Sequence, residues 1–222
     1  EQSPSIPLHP RVLPILTSDR SQWHDPVYRQ DDKDLIERWG NTEAKKIGSW
    51  DYYFGAPYPY PRQFTQWISE SIPHLQKNRV DVFFSQLPSM WGLDGPKAWL
   101  ATQLLWEADK DTDILLNEFY DEFFGDASSA IRSFYETAES HRNKNEGPAN
   151  WIKFYLDESG IELFPKSVLE DMRSSIEMAK SMVDPSSRYY QRIEIISEAF
   201  ELTELYHAYH SARLDLITFI AN

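Results

Sequence analysis

The chain has 222 residues, 41% of them hydrophobic and 14% aromatic, which is enough to bury a real core and too much for a disordered polypeptide. Its 35 acidic residues against 22 basic leave a formal charge of −13, a field that repels phosphate, so neither nucleic acid nor an anionic membrane is expected as a partner. The absence of cysteine excludes disulfides and thiolate chemistry, and no apolar run approaches the roughly 20 residues that cross a bilayer.

The start, Glu1-Gln2-Ser3-Pro4, has neither the basic nor the apolar part of a signal peptide and no initiator Met, as expected of a processed chain or a fragment. Residues 1–11 carry Pro4, Pro7 and Pro10 and read as an extended arm. Val12 to Thr17 is a short apolar run closed by Ser18-Asp19-Arg20, which suits a strand feeding a loop. A helix is expected over Asp31–Lys45, with Asp31 or Asp32 as its cap and Leu35, Ile36 and Trp39 at helical spacing. Lys46 to Phe54 is β-rich and ends at Gly55 before a turn dense in proline (Pro57, Pro59, Pro61). Arg62–Lys77 places Phe64, Trp67, Ile68, Ile72 and Leu75 on one helical face, and Arg79–Gln86 reads as a third strand.

Strand and helix thus alternate at the length of βα units, which argues for parallel strands with right-handed crossovers. Three strands do not close a barrel, so a preceding segment or a partner chain is expected to complete the sheet. From Pro96 the pattern is helical: 96–107, 111–124, 127–142, then a polar linker at Lys144–Pro148, then 165–183 and 186–220. Leu100, Leu104, Leu115 and Phe119 are the predicted core positions of the first two. In the last helix Ile193, Ile196, Phe200, Leu205, Ala208, Ala212 and Leu216 share a face. The organisation is α/β followed by all-α, divided as 1–95 and 96–222.

In parallel α/β proteins, functional side chains gather just past the carboxyl ends of strands. Those ends carry Asp19-Arg20, then Trp50-Asp51-Tyr52-Tyr53, then Ser85-Gln86 with Trp91 after it. Acid, amide, indole and phenol groups are what a sugar site uses, because aromatic faces stack on a pyranose and amides or carboxylates bind its hydroxyls. Asp51 is the candidate catalytic base or hydroxyl ligand, against the alternative of a turn cap or a partner for a nearby Lys or Arg. Trp50, Tyr52, Gln86, Trp91 and Asp19 are the candidate substrate-binding residues, although Asp19 better suits a turn former at the start of a loop and both tryptophans suit packing. Met90, Gly92 and Gly95 place Trp91 in an irregular loop.

Glycoside hydrolysis uses two carboxyl groups flanking the scissile bond, and no strand-end Glu joins Asp19 and Asp51 here. No glycine-rich phosphate loop or G-x-S-x-G elbow occurs, and no cofactor is expected. Glu204, His207 and His210 have helical spacing but lack a second copy, so a solvated face is the reading there and no metal site is assigned.

Three stretches together carry a resemblance: Trp50-Asp51-Tyr52-Tyr53 before its proline-rich turn, Trp99-Leu100 with Leu104-Leu105-Trp106, and Leu116-x-Glu118-Phe119 with Phe123-Phe124-Gly125-x-Ala127. Over residues 12–140 the chain resembles the C-terminal part of a bacterial domain family of unknown function, whose members are similar to barrel glycoside hydrolases such as α-glucuronidases and β-hexosaminidases. The resemblance implies the last units of a (β/α)8-type barrel, incomplete in this chain, followed by helices. It also implies a carbohydrate-active protein outside the cytoplasm, periplasmic or secreted, that is a fragment of a glycoside-hydrolase-like enzyme. The alternatives are a non-catalytic glycan-binding module and a helical interaction or scaffold module.

Overall fold

The computed structural model describes residues 2–53, 59–87, 90–144 and 159–221. Strands β1 (Ile15–Thr17), β2 (Ile47–Tyr52) and β3 (Val80–Gln86) form one sheet in the order β1-β2-β3. Both pairings are parallel, with Thr17 opposite Trp50, Trp50 opposite Phe84, and Tyr52 opposite Gln86. Helices α1 (Pro26–Gly40) and α2 (Thr65–Lys77) are the two crossovers. Parallel neighbours need such connections, and both crossovers pack on the same face of the sheet. The open parallel sheet expected from the alternation is therefore what forms.

Helix α1 begins five residues before the expected start. The Asp25 carboxylate accepts the Tyr28 N–H at 2.7 Å, and Pro26 fits the first turn because its missing N–H would have had no partner there. Asp31 and Asp32 accordingly lie inside the helix. Gly55, Pro57 and the linker beyond Lys144 fall outside the described residues.

After β3 every described element is helical: α3 (Trp91–Trp106), α4 (Thr112–Phe124), α5 (Ser128–Arg142), α6 (Ser159–Glu162), α7 (Lys166–Ser181) and α8 (Arg188–Ala221). Asp111 caps α4 through the N–H groups of Asp113 and Ile114. Trp91, expected in an irregular loop, is the first residue of α3 instead. Gly92 and Gly95 belong to that helix too, and Gly92 lets α8 come close. A Cβ on Gly92 would lie 2.5 Å from the Ile195 carbonyl oxygen.

Two apolar clusters hold these elements. One joins Leu16, Ile36, Ile47, Phe64, Trp67, Ile68 and Leu75 to Leu100 and Leu104 of α3 and Leu115 of α4. The other joins Phe119, Phe134, Met172, Ile176, Ile193 and Phe200 across α4, α5, α7 and α8. The four predicted core positions of α3 and α4 are all buried. In α8 the stripe is buried only at its beginning: Leu205 and Leu216 face solvent, because beyond Phe200 the buried side chains are Thr203 and His210 instead.

Candidate functional site

Side chains of a strand alternate between faces. In β2, Ile47, Ser49 and Asp51 point toward α1 and α2, while Gly48, Trp50 and Tyr52 point to the face that no described helix covers. The same alternation puts Val82, Phe84 and Gln86 of β3 on the uncovered face, in register with β2. The Trp50 and Phe84 rings pack at 4.4 Å between centroids. The structure thus brings Trp50, Tyr52 and Gln86 together at the carboxyl ends of adjacent strands, an indole, a phenol and an amide on one wall.

Asp51 lies on the other side of the sheet and is fully buried. Its Oδ1 accepts the N–H of Arg20 at 3.1 Å and of Tyr52 at 2.7 Å. Its Oδ2 accepts Arg20 Nη1 at 2.9 Å, and the same nitrogen donates to Ser49 Oγ at 2.8 Å. Arg20, also fully buried, has its Nε 3.5 Å from Asp32 Oδ2, which in turn accepts the Trp23 indole N–H at 2.8 Å. Burial pushes the Asp51 carboxyl up to about 6 against the pull of Arg20, whereas the guanidinium is held charged by Asp51 and Asp32.

Asp19 is buried as well. It accepts the Ser21 N–H at the start of a 3-10 turn, Arg20–His24, and takes Arg62 Nη2 at 2.8 Å on its Oδ2. Burial raises its carboxyl, but Arg62, Ser21, Arg142 and Gln22 together bring it below the ordinary value. Lys97 of α3 donates to the Arg62 carbonyl at 2.8 Å and lies 2.6 Å from Asp94 Oδ1, an ion pair whose angles are not those of a hydrogen bond. Burial holds this lysine down at about 8 despite Asp94. Arg62, Lys97 and Arg142 surround the Phe64 ring at 5.8, 5.0 and 5.7 Å. Trp91 is set apart, packed against Phe123 of α4 at 6.0 Å.

The arrangement has two layers. The uncovered wall can stack on a ring and exchange hydrogen bonds with hydroxyls, and none of its strand residues is a carboxylate. The buried layer behind it fixes the backbone where β1 and β2 end. Arg62, Asp94 and Lys97 belong to that layer and were not singled out from sequence, and Asp32, expected as a helix cap, belongs to it too. Only the Asp94–Lys97 spacing inside an apolar stretch signals a buried pair. On α8, Glu204 binds Arg173 through Nε at 3.0 Å and His210 lies 3.2 Å from Glu162. Among the described residues no group of three or more His, Asp or Glu is placed to hold a metal, and no helix is long and apolar enough to cross a membrane.

A family model described as "Domain of unknown function (DUF4838)" matches residues 1–136. No curated protein and no solved structure matches the chain.

Proposed function

The chain belongs to the DUF4838 family, and we propose that within it the strand-end wall of Trp50, Tyr52 and Gln86 is one side of a carbohydrate site. The observation that carries this reading is the register: the three side chains occupy neighbouring positions on the face of the sheet that no described helix covers. Aromatic faces give a pyranose its apolar contact, and the Gln86 amide can both donate to and accept from hydroxyls. In this reading the strands are the last units of a (β/α)8-type barrel, and the protein works outside the cytoplasm as part of a glycoside-hydrolase-like enzyme. The acid and base of hydrolysis come from other strands of the barrel, because the nearest carboxylates, Asp19 and Asp51, are held by Arg62 and Arg20. Asp51 is then a positioning residue that fixes the ends of β1 and β2 from behind. The test is a glycan array probed with the protein, followed by a hydrolysis assay on every glycan retained. Binding that Gln86→Ala abolishes supports the reading, and no retention of any glycan contradicts it.

A second reading, a helical interaction module, is favoured by α8. Leu205, Tyr209, Leu216 and Phe219 lie on it at 58% exposure or more. Loss of a protein partner on Leu216→Glu, with no glycan bound, would favour it.

A further inference from the structure

Helix α8 carries two seams, and only one of them meets the rest of the protein. Ile193, Ile196, Phe200, Thr203 and His210 are buried against the neighbouring helices. On the opposite side lie Ile195, Leu202, Tyr209 and Leu216, each seven residues after the last. Leu205, Ala212 and Phe219 interleave with them, three residues on from Leu202, Tyr209 and Leu216. The six large side chains of this second seam are between 47% and 80% exposed. From Ala212 to Ala221 every residue is exposed, and Leu214 and Ile217 add apolar surface beside the seam.

Apolar positions that repeat every seven residues, at alternating spacings of three and four, keep one stripe of a helix turned toward a partner helix. A strand repeats every two residues and cannot follow such a stripe. The repeat runs through residues 195–219, about 36 Å of helix at 1.5 Å per residue. Its six large side chains offer about 700 Å² of accessible surface, at roughly 200 Å² for each when fully exposed. With an equal share from the partner the contact would bury ~1,400 Å², the size of a specific interface.

Charge decides which helix fits. Glu194, Glu201 and Asp215 share one heptad position beside the seam, and Glu198 sits within it. Glu194 is held by Lys180 at 2.6 Å, whereas Glu198, Glu201 and Asp215 are exposed. A second copy of the chain suits this surface badly. Parallel copies would set Glu198 against Glu198, and antiparallel copies would bring the acidic flanks together, where like charges oppose pairing. We propose that the seam is the docking surface for an amphipathic helix of another polypeptide, one whose flanking positions carry Lys or Arg. This rests on the second reading above, to which it adds the chemistry of the partner, and is independent of the glycan.

The test uses the 222-residue chain and two labelled synthetic helices of four heptads, each with Leu at both seam positions. One carries Lys at the flanking positions and the other Glu, so neither pairs readily with itself. By fluorescence anisotropy the Lys helix should bind at least tenfold more tightly than the Glu helix. Leu205→Glu combined with Leu216→Glu should abolish that binding although it makes the chain more acidic. The melting temperature should not change, because both side chains lie mostly in solvent. Glu198→Lys, Glu201→Lys and Asp215→Lys together should reverse the preference. Equal affinity for the two helices, binding that survives the paired leucine replacements, or a preference that the triple exchange leaves in place would overturn the proposal. So would a dimer of the chain that Leu216→Glu dissolves, because the occupant would then be a second copy. If neither helix binds while Leu216→Glu still loses a protein partner, the interaction reading stands and the basic helix is overturned.

Discussion

Arg20 and Asp51 meet inside the protein, Nη1 to Oδ2 at 2.9 Å, with neither side chain reaching solvent. Thirty-one positions separate them in the chain, and their contact ties the end of β1 to the end of β2. Breaking a buried pair strands the surviving charge, which costs far more than losing a surface pair. Asp51→Asn should therefore lower the unfolding free energy in urea by about 3–5 kcal/mol. A loss below about 1 kcal/mol, the scale of an exposed pair, would show that solvent reaches Arg20.

Lys97 gives the protein an unusual alkaline behaviour. Its folded-state value of about 8 lies below the ordinary 10.5 because burial outweighs Asp94. Between those values the unfolded chain binds the proton and the folded chain has given it up. The lysine's contribution to stability therefore rises with pH from about 8 to 10.5. Denaturation of the wild type and Lys97→Met across that range should show the rise only in the wild type. Parallel pH profiles would mean that Lys97 titrates normally.

Asp19 works in the opposite window. Burial raises its carboxyl and Arg62 with its neighbours lowers it further, so the net value is below 3.8. Its contribution is present above that pH and is lost as pH falls below it. Asp19→Asn should flatten the acid limb of the stability profile below about pH 4. An unchanged limb would place the acid transition on other carboxylates.

The contact of α3 with α8 sets propensity against packing. Alanine is a better helix former than glycine by about 1 kcal/mol. Yet a Cβ on Gly92 would meet the Ile195 oxygen at 2.5 Å and the Ala199 Cβ at 2.8 Å. Gly92→Ala should thus cost about 1–3 kcal/mol, and Leu104→Ala, which empties a buried site, about 2–5 kcal/mol. A stabilising Gly92→Ala would mean that the two helices do not touch at this point.

Repeating patterns carried the fold: three β-rich runs split by helical spacing gave the parallel sheet, and Leu100, Leu104, Leu115 and Phe119 were legible as core. The start of α1 was misplaced because Asp31 and Asp32 look like caps while Asp25-Pro26 is the true one. Asp51 and its aromatic neighbours were read as one group, yet strand alternation alone puts Asp51 on the face opposite Trp50 and Tyr52. The charge network was not legible, since it joins residues such as Asp19 and Arg62, 43 positions apart. No local pattern encodes that contact. The exposed stripe on α8 looked like core because periodicity shows which residues share a face and not whether anything covers it.

The central claim is that ligand is met by the wall of Trp50, Tyr52 and Gln86 while Asp51 acts from behind it. Calorimetric titration of an array-selected oligosaccharide into the wild type, Gln86→Ala and Asp51→Asn, with melting temperatures of all three, tests this directly. Gln86→Ala should bind at least tenfold more weakly, about 1.4 kcal/mol, at an unchanged melting temperature. Asp51→Asn should melt several degrees lower and, while folded, keep its affinity within about threefold, or ~0.7 kcal/mol. The opposite pattern, Asp51→Asn fully stable but unable to bind and Gln86→Ala unaffected, would contradict the account.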